Sequence, residues 1–398
     1  MQQSYRPTVA EIDLDHLQGN VEAFRSHLPE ETKFMACVKG NAYGHGSVEV
    51  TRELEKLKVD YVSVAFLDEA LELRQAGILI PILVLGYVGP DGIRAAWEHD
   101  VTVTLFTPEV LEAITRLPEE RERKLKVHLK IDSGMGRIGL LPEDAPAFAE
   151  QVRLTPQAEL EGMFTHFARA DEEDKSYTIM QYRRFENVAV TLREQGFTIP
   201  IIHTANSAAA IDTPELSVNM VRAGISLYGF YPSAEVNRAP VVLRPVMTLK
   251  TRAVYVKELP EGWGVSYGTR YRAERGERIA TLPVGYADGY SRMLTGKAEV
   301  LIRGRRVPVV GTICMDQCMV SLESFAEEAH NIKAGEEVVL IGSQLGTSIT
   351  AEELALHLGT IHYEIVCMLA RRVPRVYIRA GRPSHLVNAL LDPEAVEM

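Results

Sequence analysis

A lysine placed at the end of an apolar segment is the first residue in this chain that suggests chemistry. Lys39 follows the apolar run 35–38 and precedes the flexible, polar turn "GNAYGHG". A charged amine is costly to bury without a partner, and burial favours its neutral, nucleophilic form. Such an amine can attack a carbonyl carbon and form a Schiff base. We interpret Lys39 as a candidate nucleophile, the alternative being a surface lysine at a strand end.

Other polar residues stand in the same position relative to apolar, β-branched runs. They are Lys130 and Arg137 around the run at 126–132, His166 at the end of 160–166, His203, Asn206 and Ser207 after 199–204, and Arg222 near the end of 218–223. Strands often stop where polarity begins, so any one of these residues has an ordinary explanation. That explanation is weaker for all of them together.

Eight short β-branched runs alternate with helical patterns in the first 240 residues. The runs cover residues 34–39, 61–66, 81–86, 101–106, 126–132, 160–166, 199–204 and 218–223. Among the helical patterns, "TPEVLEAITRL" has Thr107 as a cap and Pro108 at its first position, and "LDEALELRQAG" stops at Gly77. The alternation predicts parallel βαβ units and favours a (β/α)8 barrel, with an open doubly wound sheet as the alternative. In a barrel, the polar residues would share the rim that carries the βα loops.

After about residue 240 the sequence becomes rich in strand and turn patterns. Segments such as "VMTLKTRAVYVKELPEG" and "AEVLIRGRRVPVVGTICMDQCMVSLE" have few helical signals, and one helical stretch, "TAEELALHLGTIHYEIVCML", lies near the end. We therefore expect a barrel domain at 1–240 and a mostly-β domain at 241–398. The first ten or so residues are expected to pair with the C-terminal domain.

Composition excludes several classes of protein. The 398 residues are 46% hydrophobic and 24% charged, with a net charge of -11, which argues against a nucleic-acid-binding surface. The four cysteines form no CxxC pair, so neither a metal site nor a disulfide framework is predicted. The N-terminus lacks an apolar signal core, and the longest apolar stretch contains a proline and is too short to span a bilayer. We expect a cytoplasmic protein without membrane or nucleic-acid partners.

A Schiff-base lysine suggests an aldehyde cofactor, for which pyridoxal phosphate is the obvious candidate. Its phosphate would need hydrogen-bond donors, which barrels often provide in the loops after strands seven and eight. Those loops read "HTANSAA" and "RAGISLYG" here. Ser207 offers a hydroxyl group, and Gly224 and Ile225 offer backbone N–H groups, although small residues after a strand usually mean only a tight turn.

Taken together, these segments resemble the alanine racemase family over nearly the whole chain. The most specific motif is "VKGNAYGHG", where the family usually has alanine at the position of Gly40; other matches are "KIDSGMGRIG", "THFARAD", "HTANSAA", "VRAGISLYG", "VSYG", "GYADGY", "CMDQ" and "HYEIVC". The resemblance implies a barrel carrying pyridoxal phosphate, followed by a β domain. We expect Gly40 to loosen the local backbone slightly without changing the chemistry.

The resemblance also implies roles for individual residues. Lys39 would hold the cofactor and then move the substrate's Cα proton on one face. Tyr267, in "GVSYG", would be the second base on the opposite face, contributed by the other subunit of a homodimer; without the resemblance, a core tyrosine would be the simpler interpretation. Arg222 would meet the cofactor's pyridine nitrogen, and together with His166 would supply positive charge to tune Tyr267.

The remaining implied site residues fall into three groups. Tyr43, Ser207, Gly224, Ile225 and Tyr363 would form the phosphate cradle; Arg137 and the Met315 N–H would bind the substrate carboxylate; Lys130, His203, Asn206, Tyr286 and Asp316 would support them. Lys130 matches a position that is often carbamylated, and such an anion would orient Arg137. His45 is interpreted as a helix-entry residue, and Cys314 and Cys318 as structural.

The sequence is compatible with three hypotheses about function. The first is an alanine racemase that interconverts L- and D-alanine and supplies D-alanine for peptidoglycan. The second is a related enzyme on the same cofactor, such as a decarboxylase or a racemase for a larger side chain, and the third is a non-catalytic cofactor carrier. The pairing of Lys39 with Tyr267, an arginine at 222, and the long β domain favour the first, on the basis of the resemblance.

Overall fold

The computed structural model describes residues 4–120 and 123–391. These residues divide into two compact units. The barrel unit comprises residues 17–42 and 46–244, and the β unit comprises the described parts of Met1–His16, Tyr43–His45 and Pro245–Met398. The first strand of the chain, β1 (Val9–Asp13), belongs to the β unit.

Eight parallel strands close into a barrel in the order in which they occur in the chain. They are β2 (Lys33–Cys37), β3 (Tyr61–Val64), β4 (Ile82–Tyr87), β5 (Val101–Leu105), β6 (Leu125–Lys130), β7 (Ala158–Phe164), β8 (Ile201–His203) and β9 (Met220–Ala223). Closure occurs where β2 pairs with β9, with Ala36 opposite Ala223. The predicted (β/α)8 barrel is therefore confirmed, and the open sheet is excluded.

Helices alternate with the barrel strands as the sequence predicts. They are α1 (Leu14–His27), α2 (Ser47–Lys56), α3 (Leu67–Gln75), α4 (Ile93–Glu98), α5 (Pro108–Thr115), α6 (Ala145–Arg153), α7 (Ser176–Glu194) and α8 (Ser207–Asp212). Thr107 and Pro108 occupy the predicted first positions of α5, but the Thr107 hydroxyl makes no capping hydrogen bond. Gly77, with φ of 78°, follows the end of α3, where a side chain would be strained.

Besides β1, the β unit contains the strands β10 (Met247–Arg252), β11 (Tyr255–Glu258), β12 (Gly264–Val265), β13 (Tyr271–Arg272), β14 (Arg278–Leu282), β15 (Glu299–Ile302), β16 (Arg305–Val310), β17 (Cys318–Ser321), β18 (Glu337–Gln344), β19 (Thr347–Ile349), β20 (Arg375–Arg379) and β21 (Arg382–Val387). One large, mainly antiparallel sheet has the order β11-β14-β17-β16-β15-β18-β10-β1-β20-β21, with β19 beside β18, and β12 and β13 form a separate two-stranded sheet. Strand β1 pairs antiparallel with β10 and parallel with β20, so an N-terminal segment completes this sheet.

One predicted element is wrong in its extent. The single helical stretch expected near the end of the chain is two helices, α9 (Ala351–Leu358) and α10 (His362–Cys367). Gly359 separates them with φ of 70°, a left-handed conformation that ends an α-helix. Within the described residues, no helix is both long and apolar enough to cross a membrane.

Candidate active site

Residues of the predicted site in the barrel unit lie in or shortly after the C-terminal ends of their strands. They are Lys39 after β2, Lys130 and Arg137 at and after β6, His166 after β7, His203, Asn206 and Ser207 at and after β8, and Arg222, Gly224 and Ile225 at and after β9. Because the strands of a closed parallel barrel all end on the same side, these residues share one rim. The strand ends therefore bring together groups that are far apart in the sequence.

Lys39 lies just beyond strand β2, at the start of an unusual left-handed turn. Gly40, Asn41 and Ala42 have φ values of 61°, 56° and 53°. Glycine adopts such angles readily, whereas other residues lose about 1–2 kcal/mol each. Hydrogen bonds from Gly40 N to Glu69 (2.6 Å) and from Ala42 N to the Val38 carbonyl (2.7 Å) hold the turn. The backbone that follows the candidate nucleophile is thus fixed, and Gly40 reduces the strain within it.

The Arg222 guanidinium is the centre of the most extensive hydrogen-bond network at the rim. The residue is 3% exposed. Nη1 donates to His203 Nδ1 (2.9 Å) and to the His203 carbonyl (3.1 Å). Nη2 donates to the carbonyls of Thr165 (2.8 Å) and Thr204 (2.9 Å) and lies 3.3 Å from His166 Nδ1. Both terminal nitrogens are therefore satisfied by the barrel wall.

The Nε–H of Arg222 has no hydrogen-bond acceptor among the residues that the structure describes. An arginine only donates, so this group is suited to a neutral or anionic acceptor from a ligand. Burial, reinforced by the Arg222 charge, holds the pKa values of His166 and His203 well below the ordinary histidine value. Both imidazoles are consequently neutral at physiological pH. His166 therefore does not supply the positive charge expected of it, and of His166 and Arg222 only the arginine is charged.

Hydroxyl and backbone groups of the loops after β8 and β9 form a second part of the rim. Ser207 Oγ accepts a hydrogen bond from Gly224 N (2.8 Å), so its own proton is left to donate. Asn206 caps α8 by accepting from Ala209 N (3.1 Å). Ser226, which sequence reasoning missed, is fully buried, and its Oγ has no hydrogen-bond partner among the described residues. Two serine hydroxyls beside a short helical turn are a suitable set of donors for a phosphate.

The loop that carries Arg137 is organised by Asp132, which sequence reasoning also missed. Its Oδ1 accepts from the N–H groups of Gly134 (2.9 Å) and Met135 (2.8 Å), and its Oδ2 accepts from Arg137 N (3.2 Å). Burial acts to raise the pKa of Asp132, but these N–H donors outweigh it, and the net pKa is lowered. An aspartate opening a glycine-rich segment is the signal that could have identified this turn.

Lys130, the last residue of β6, is only 3% exposed. Its Nζ lies 4.5 Å from the centroid of the Phe164 ring. Burial, together with the nearby charges of Arg222 and Arg137, holds the pKa of Lys130 well below the usual lysine value. No carboxylate forms an ion pair with it in the described part of the chain. Burial and the neighbouring positive charges therefore favour the neutral, nucleophilic form of this amine.

In the β unit, Tyr267 is held rigidly but is 73% exposed. It lies between Ser266 and Gly268, whose φ values are 64° and 74°. Thr312 Oγ1 donates to the Tyr267 carbonyl (2.8 Å), and Ser266 Oγ donates to the Thr312 carbonyl (2.5 Å). These hydrogen bonds fix the backbone at Tyr267, whereas its side chain is largely exposed to solvent.

The segments that carry Tyr286 and Met315 are joined to each other within the β unit. Tyr286 N donates to the Cys314 carbonyl (3.1 Å), and Ala287 N donates to the Met315 carbonyl (3.0 Å). A Cβ on Gly285 would lie 2.2 Å from the Cys314 oxygen, so only glycine permits this approach. Three of the predicted residues, including Asp316, thus belong to one cluster.

Arg372 connects Asp316 to the interior of that cluster. It donates from Nε to Asp288 (2.6 Å) and from Nη2 to Asp316 (2.6 Å). Asp288 is 1% exposed and also pairs with Arg6 (2.5 Å). Sequence reasoning missed Arg372 and Asp288, because nothing in their local sequence shows that they meet.

Tyr43 and Tyr363, the predicted phosphate ligands of the β unit, form an aromatic pair. Their ring centroids lie 6.3 Å apart at an angle of 53°. The next residue, Gly44, approaches the chain so closely that a Cβ would lie 2.1 Å from the Val366 oxygen. Arg375 donates to the Gly44 carbonyl and fixes this segment. His45, expected at a helix entry, precedes α2, whose cap position is occupied by Gly46.

Fold and rim together describe a (β/α)8 barrel enzyme with a lysine, the candidate nucleophile, at the mouth of its barrel. Residues 12–232 match the family "Alanine racemase, N-terminal domain", and residues 246–377 match "Alanine racemase, C-terminal domain". The chain belongs to the alanine racemase family.

Individual relatives are similar to this protein over almost its full length. Alanine racemase of Desulfovibrio desulfuricans is 46% identical over 94% of this chain and 98% of its own length. The crystal structure of alanine racemase from Bacillus anthracis with bound L-Ala-P is 42% identical, with a TM-score of 0.92 over 98% of this chain and 99% of that one. A histidine racemase from Leuconostoc mesenteroides subsp. sake is 29% identical, with a TM-score of 0.86 over 95% of this chain and 100% of that one.

Proposed function

We propose that this chain interconverts L-alanine and D-alanine with pyridoxal phosphate as its cofactor, and that in the cytoplasm it supplies D-alanine for peptidoglycan. Membership of the family gives the reaction class. The observation that carries the proposal is the state of Arg222: its two terminal nitrogens are satisfied by the barrel, and its Nε–H has no acceptor in the described part of the protein. The rim thereby offers one permanent donor to a ligand.

The rim residues fit pyridoxal phosphate on chemical grounds. Lys39 supplies an amine for the aldehyde, the Arg222 Nε–H suits a pyridine nitrogen, and the hydroxyls of Ser207 and Ser226 suit a phosphate. We further propose Gly224, Ile225, Tyr43 and Tyr363 as phosphate ligands. When bound, the cofactor withdraws electrons from the substrate's Cα and makes its proton removable.

Arg222 sets the electronic character of the site because it retains its proton. Arginine cannot be deprotonated under ordinary conditions, so a ring nitrogen facing it stays unprotonated. Such a ring is a weaker electron sink, which disfavours side reactions that need a long-lived carbanion. We assign Arg222 a role in reaction specificity, at the expense of easier proton removal.

Racemisation needs a proton removed from one face of Cα and returned on the other, so it needs two groups on opposite faces. We assign these roles to Lys39 and Tyr267. A tyrosine that is 73% exposed is poorly placed to exclude water from a proton transfer. We therefore propose that a second copy of the chain covers it, so that each active site takes Tyr267 from the partner of a homodimer.

Substrate binding is assigned to groups that suit a carboxylate. We propose that Arg137, positioned by the Asp132 turn, and the N–H of Met315 hold the substrate carboxylate. Met315 is 52% exposed, so the same second copy would complete this contact. Lys130 is proposed to be carbamylated, since burial favours its neutral amine and a carbamate there would be an anion that orients Arg137. His203, Asn206, Tyr286 and Asp316 are assigned supporting roles.

Chiral chromatography of reactions started from L-alanine or D-alanine, with and without added pyridoxal phosphate, tests the proposal. An equal mixture from either enantiomer is expected, with loss of conversion in Lys39→Ala. Parallel reactions with L-serine, L-lysine and L-histidine test for a larger substrate, as the similarity to a histidine racemase makes necessary. Binding of the cofactor without conversion of alanine would overturn the proposed substrate.

A further inference from the structure

A continuous chain of polar side chains crosses the barrel unit from the first residue of β3 to the rim. Tyr61 donates its hydroxyl to Glu161 Oε2 (2.6 Å), and Glu161 Oε2 lies 3.1 Å from His128 Nε2. His128 Nδ1 lies 2.9 Å from His203 Nε2, and His203 Nδ1 lies 2.9 Å from Arg222 Nη1. Both imidazoles are fully buried. The chain thus connects a carboxylate away from the rim to the arginine at the rim.

The donors at the two ends determine the direction of every hydrogen bond between them. Arg222 can only donate, so His203 Nδ1 must accept and His203 must carry its proton on Nε2. That proton is donated to His128 Nδ1, which leaves the proton of His128 on Nε2. The His128 Nε2–H then meets the carboxylate of Glu161, which accepts. One neutral tautomer of each histidine satisfies the entire chain.

The charges along the chain agree with this arrangement. Burial lowers the pKa of His128, as it does that of His203, so both rings are neutral at physiological pH. Burial acts to raise the pKa of Glu161, but hydrogen bonds from His128 and Tyr61 outweigh it and lower the net pKa. This series of hydrogen bonds therefore joins the ionised carboxylate of Glu161 to the guanidinium of Arg222 through two neutral imidazoles.

The neighbouring backbone is shaped to hold His128 in this position. His128 pairs with Gly162 of β7, directly after a register shift in the strand pair. A Cβ on Gly162 would lie 2.5 Å from ring atoms of His128, so any larger residue would displace the imidazole. On the other side, the ring of Phe164 stacks on His203 with centroids 4.7 Å apart. Packing and hydrogen bonding thus fix both rings.

We propose that Glu161 is a positioning residue for Arg222, acting through the tautomers of His128 and His203. By accepting from His128 it makes the Nε2–H form the favoured one, and His203 is then left with a free Nδ1 lone pair for Arg222. Without that acceptor, His128 can hold its proton on Nδ1, and His203 must turn or change tautomer. Arg222 would then lose one of the hydrogen bonds that orient its guanidinium.

Nitrogen NMR of protein labelled with ¹⁵N-histidine tests the tautomers directly, in the holoenzyme and after cofactor removal. Spectra of His128→Gln and His203→Gln assign the two signals. We expect a pyrrole-type Nε2 and a pyridine-type Nδ1 for both residues throughout pH 6–8. A protonated Nδ1 on His203, or an imidazolium signal from either residue at pH 7, would overturn the proposal.

Glu161→Leu removes the acceptor, and Glu161→Gln restores one without the charge. In the leucine variant we expect the His203 signals to shift and kcat/KM to fall about tenfold, the scale on which second-layer hydrogen bonds act. The glutamine variant should recover the wild-type tautomers and most of the rate. Glu159→Leu, at an exposed position of the same strand, is the matched control and should change neither. A folded Glu161→Leu protein with unshifted His203 signals contradicts the role of Glu161.

Gly162→Ala provides a second approach if the leucine variant does not fold. It leaves Glu161 intact and displaces only the His128 ring, so it should produce the same His203 shift. The expected change in rate rests on the proposed function, whereas the NMR readout does not. Inactivity of the wild-type protein toward alanine would thus count against the racemase proposal alone, and an unaltered His203 spectrum in Gly162→Ala would count against the positioning chain alone.

Discussion

Arg375 donates to the carbonyl oxygen of Gly44 twice, from Nε at 3.1 Å and from Nη2 at 2.9 Å. Its remaining bonds go to the carbonyls of Leu369, Ala370 and Val373, and the residue is 5% exposed. Backbone carbonyls thus take the place of water around this buried cation, and they tie the segment at Gly44 to residues 369–375. It also fixes the backbone next to Tyr43, a proposed phosphate ligand.

Arg375→Lys is therefore expected to lower the free energy of unfolding by about 2–4 kcal/mol, because lysine cannot reach several carbonyls at once and leaves some unsatisfied. Urea denaturation measures this loss, and titration with pyridoxal phosphate should show weaker binding. Arg379→Lys on the same strand is the control, since Arg379 forms a partly exposed pair with Asp15. Arg379→Lys should lower the free energy of unfolding by no more than about 1 kcal/mol. Equal losses in both variants would argue against the importance of the Gly44 contact.

Two glycines of the Arg137 loop should differ sharply in their tolerance of alanine. Both have left-handed φ values, 129° at Gly139 and 68° at Gly136. A Cβ at Gly139 would lie 2.7 Å from Asp132 N, whereas none of the described atoms would lie within 4 Å of one at Gly136. Gly139→Ala should displace Asp132 and Arg137 and reduce kcat/KM by at least about tenfold. Gly136→Ala should cost only about 1 kcal/mol of stability, with activity retained. Steady-state kinetics and urea denaturation of both variants distinguish the two effects.

The Asp288 carboxylate should contribute stability in a pH-dependent way. Burial acts to raise its pKa, but hydrogen bonds from Arg6 and Arg372 outweigh it, so the pKa in the folded protein lies below the ordinary value of 3.8. A carboxylate whose pKa is lower in the folded than in the unfolded protein stabilises the fold fully at pH values above its unfolded-state pKa. This stabilisation is lost as the pH falls through its folded-state pKa.

Asp288→Asn should consequently destabilise the protein by about 2–3 kcal/mol at neutral pH. The difference from wild type should stay constant between pH 7 and 5 and shrink below pH 3.8. Urea denaturation across this range measures it, and the exposed Asp91→Asn variant serves as the control, with a small, constant difference expected. A difference that grows as the pH falls would contradict the pairing.

Tyr267→Phe keeps the ring and removes the proposed base. We expect kcat to fall by at least about a hundredfold, because general-base catalysis contributes on this scale. Exchange of the Cα proton with deuterated solvent should be reduced far more from L-alanine than from D-alanine, since Lys39 would still serve the opposite face. Tyr255→Phe, a similarly exposed tyrosine of the β unit, is the control. Equal losses from both enantiomers would refute the assignment of the two faces.

The buried amine of Lys130 should add carbon dioxide. Burial and the nearby arginine charges hold its pKa well below the usual value, which favours the neutral amine, the form that makes an N–C bond to CO2 with release of one proton. Incubation with ¹³C-bicarbonate should give a carbamate signal in the NMR spectrum of the wild-type protein. The signal should disappear in Lys130→Ala and persist in Lys126→Ala. Its absence from wild type would refute the modification.

Much of the architecture could be predicted from local patterns. Alternating β-branched and helical segments indicated the barrel, because each segment's periodicity depends on residues only a few positions apart. Pro108 and Gly77 marked helix ends for reasons of backbone geometry alone. The helix break at Gly359 was missed, since an isolated glycine in a helical pattern is often tolerated. The domain boundary near residue 240 and the roles of the site residues stay predictions.

By itself, the sequence determined the fold class, the family and the residue types at the rim, because periodicity and short motifs are local properties. Only the tertiary structure decided which distant groups meet. Glu161, His128 and Arg222 are far apart in the sequence, but Glu161 contacts His128, and His203 links His128 to Arg222. Their tautomers, charges and lowered pKa values follow from burial and from hydrogen-bond partners on other strands. Burial and these partners are properties of the tertiary structure and cannot be predicted from neighbouring residues in the sequence.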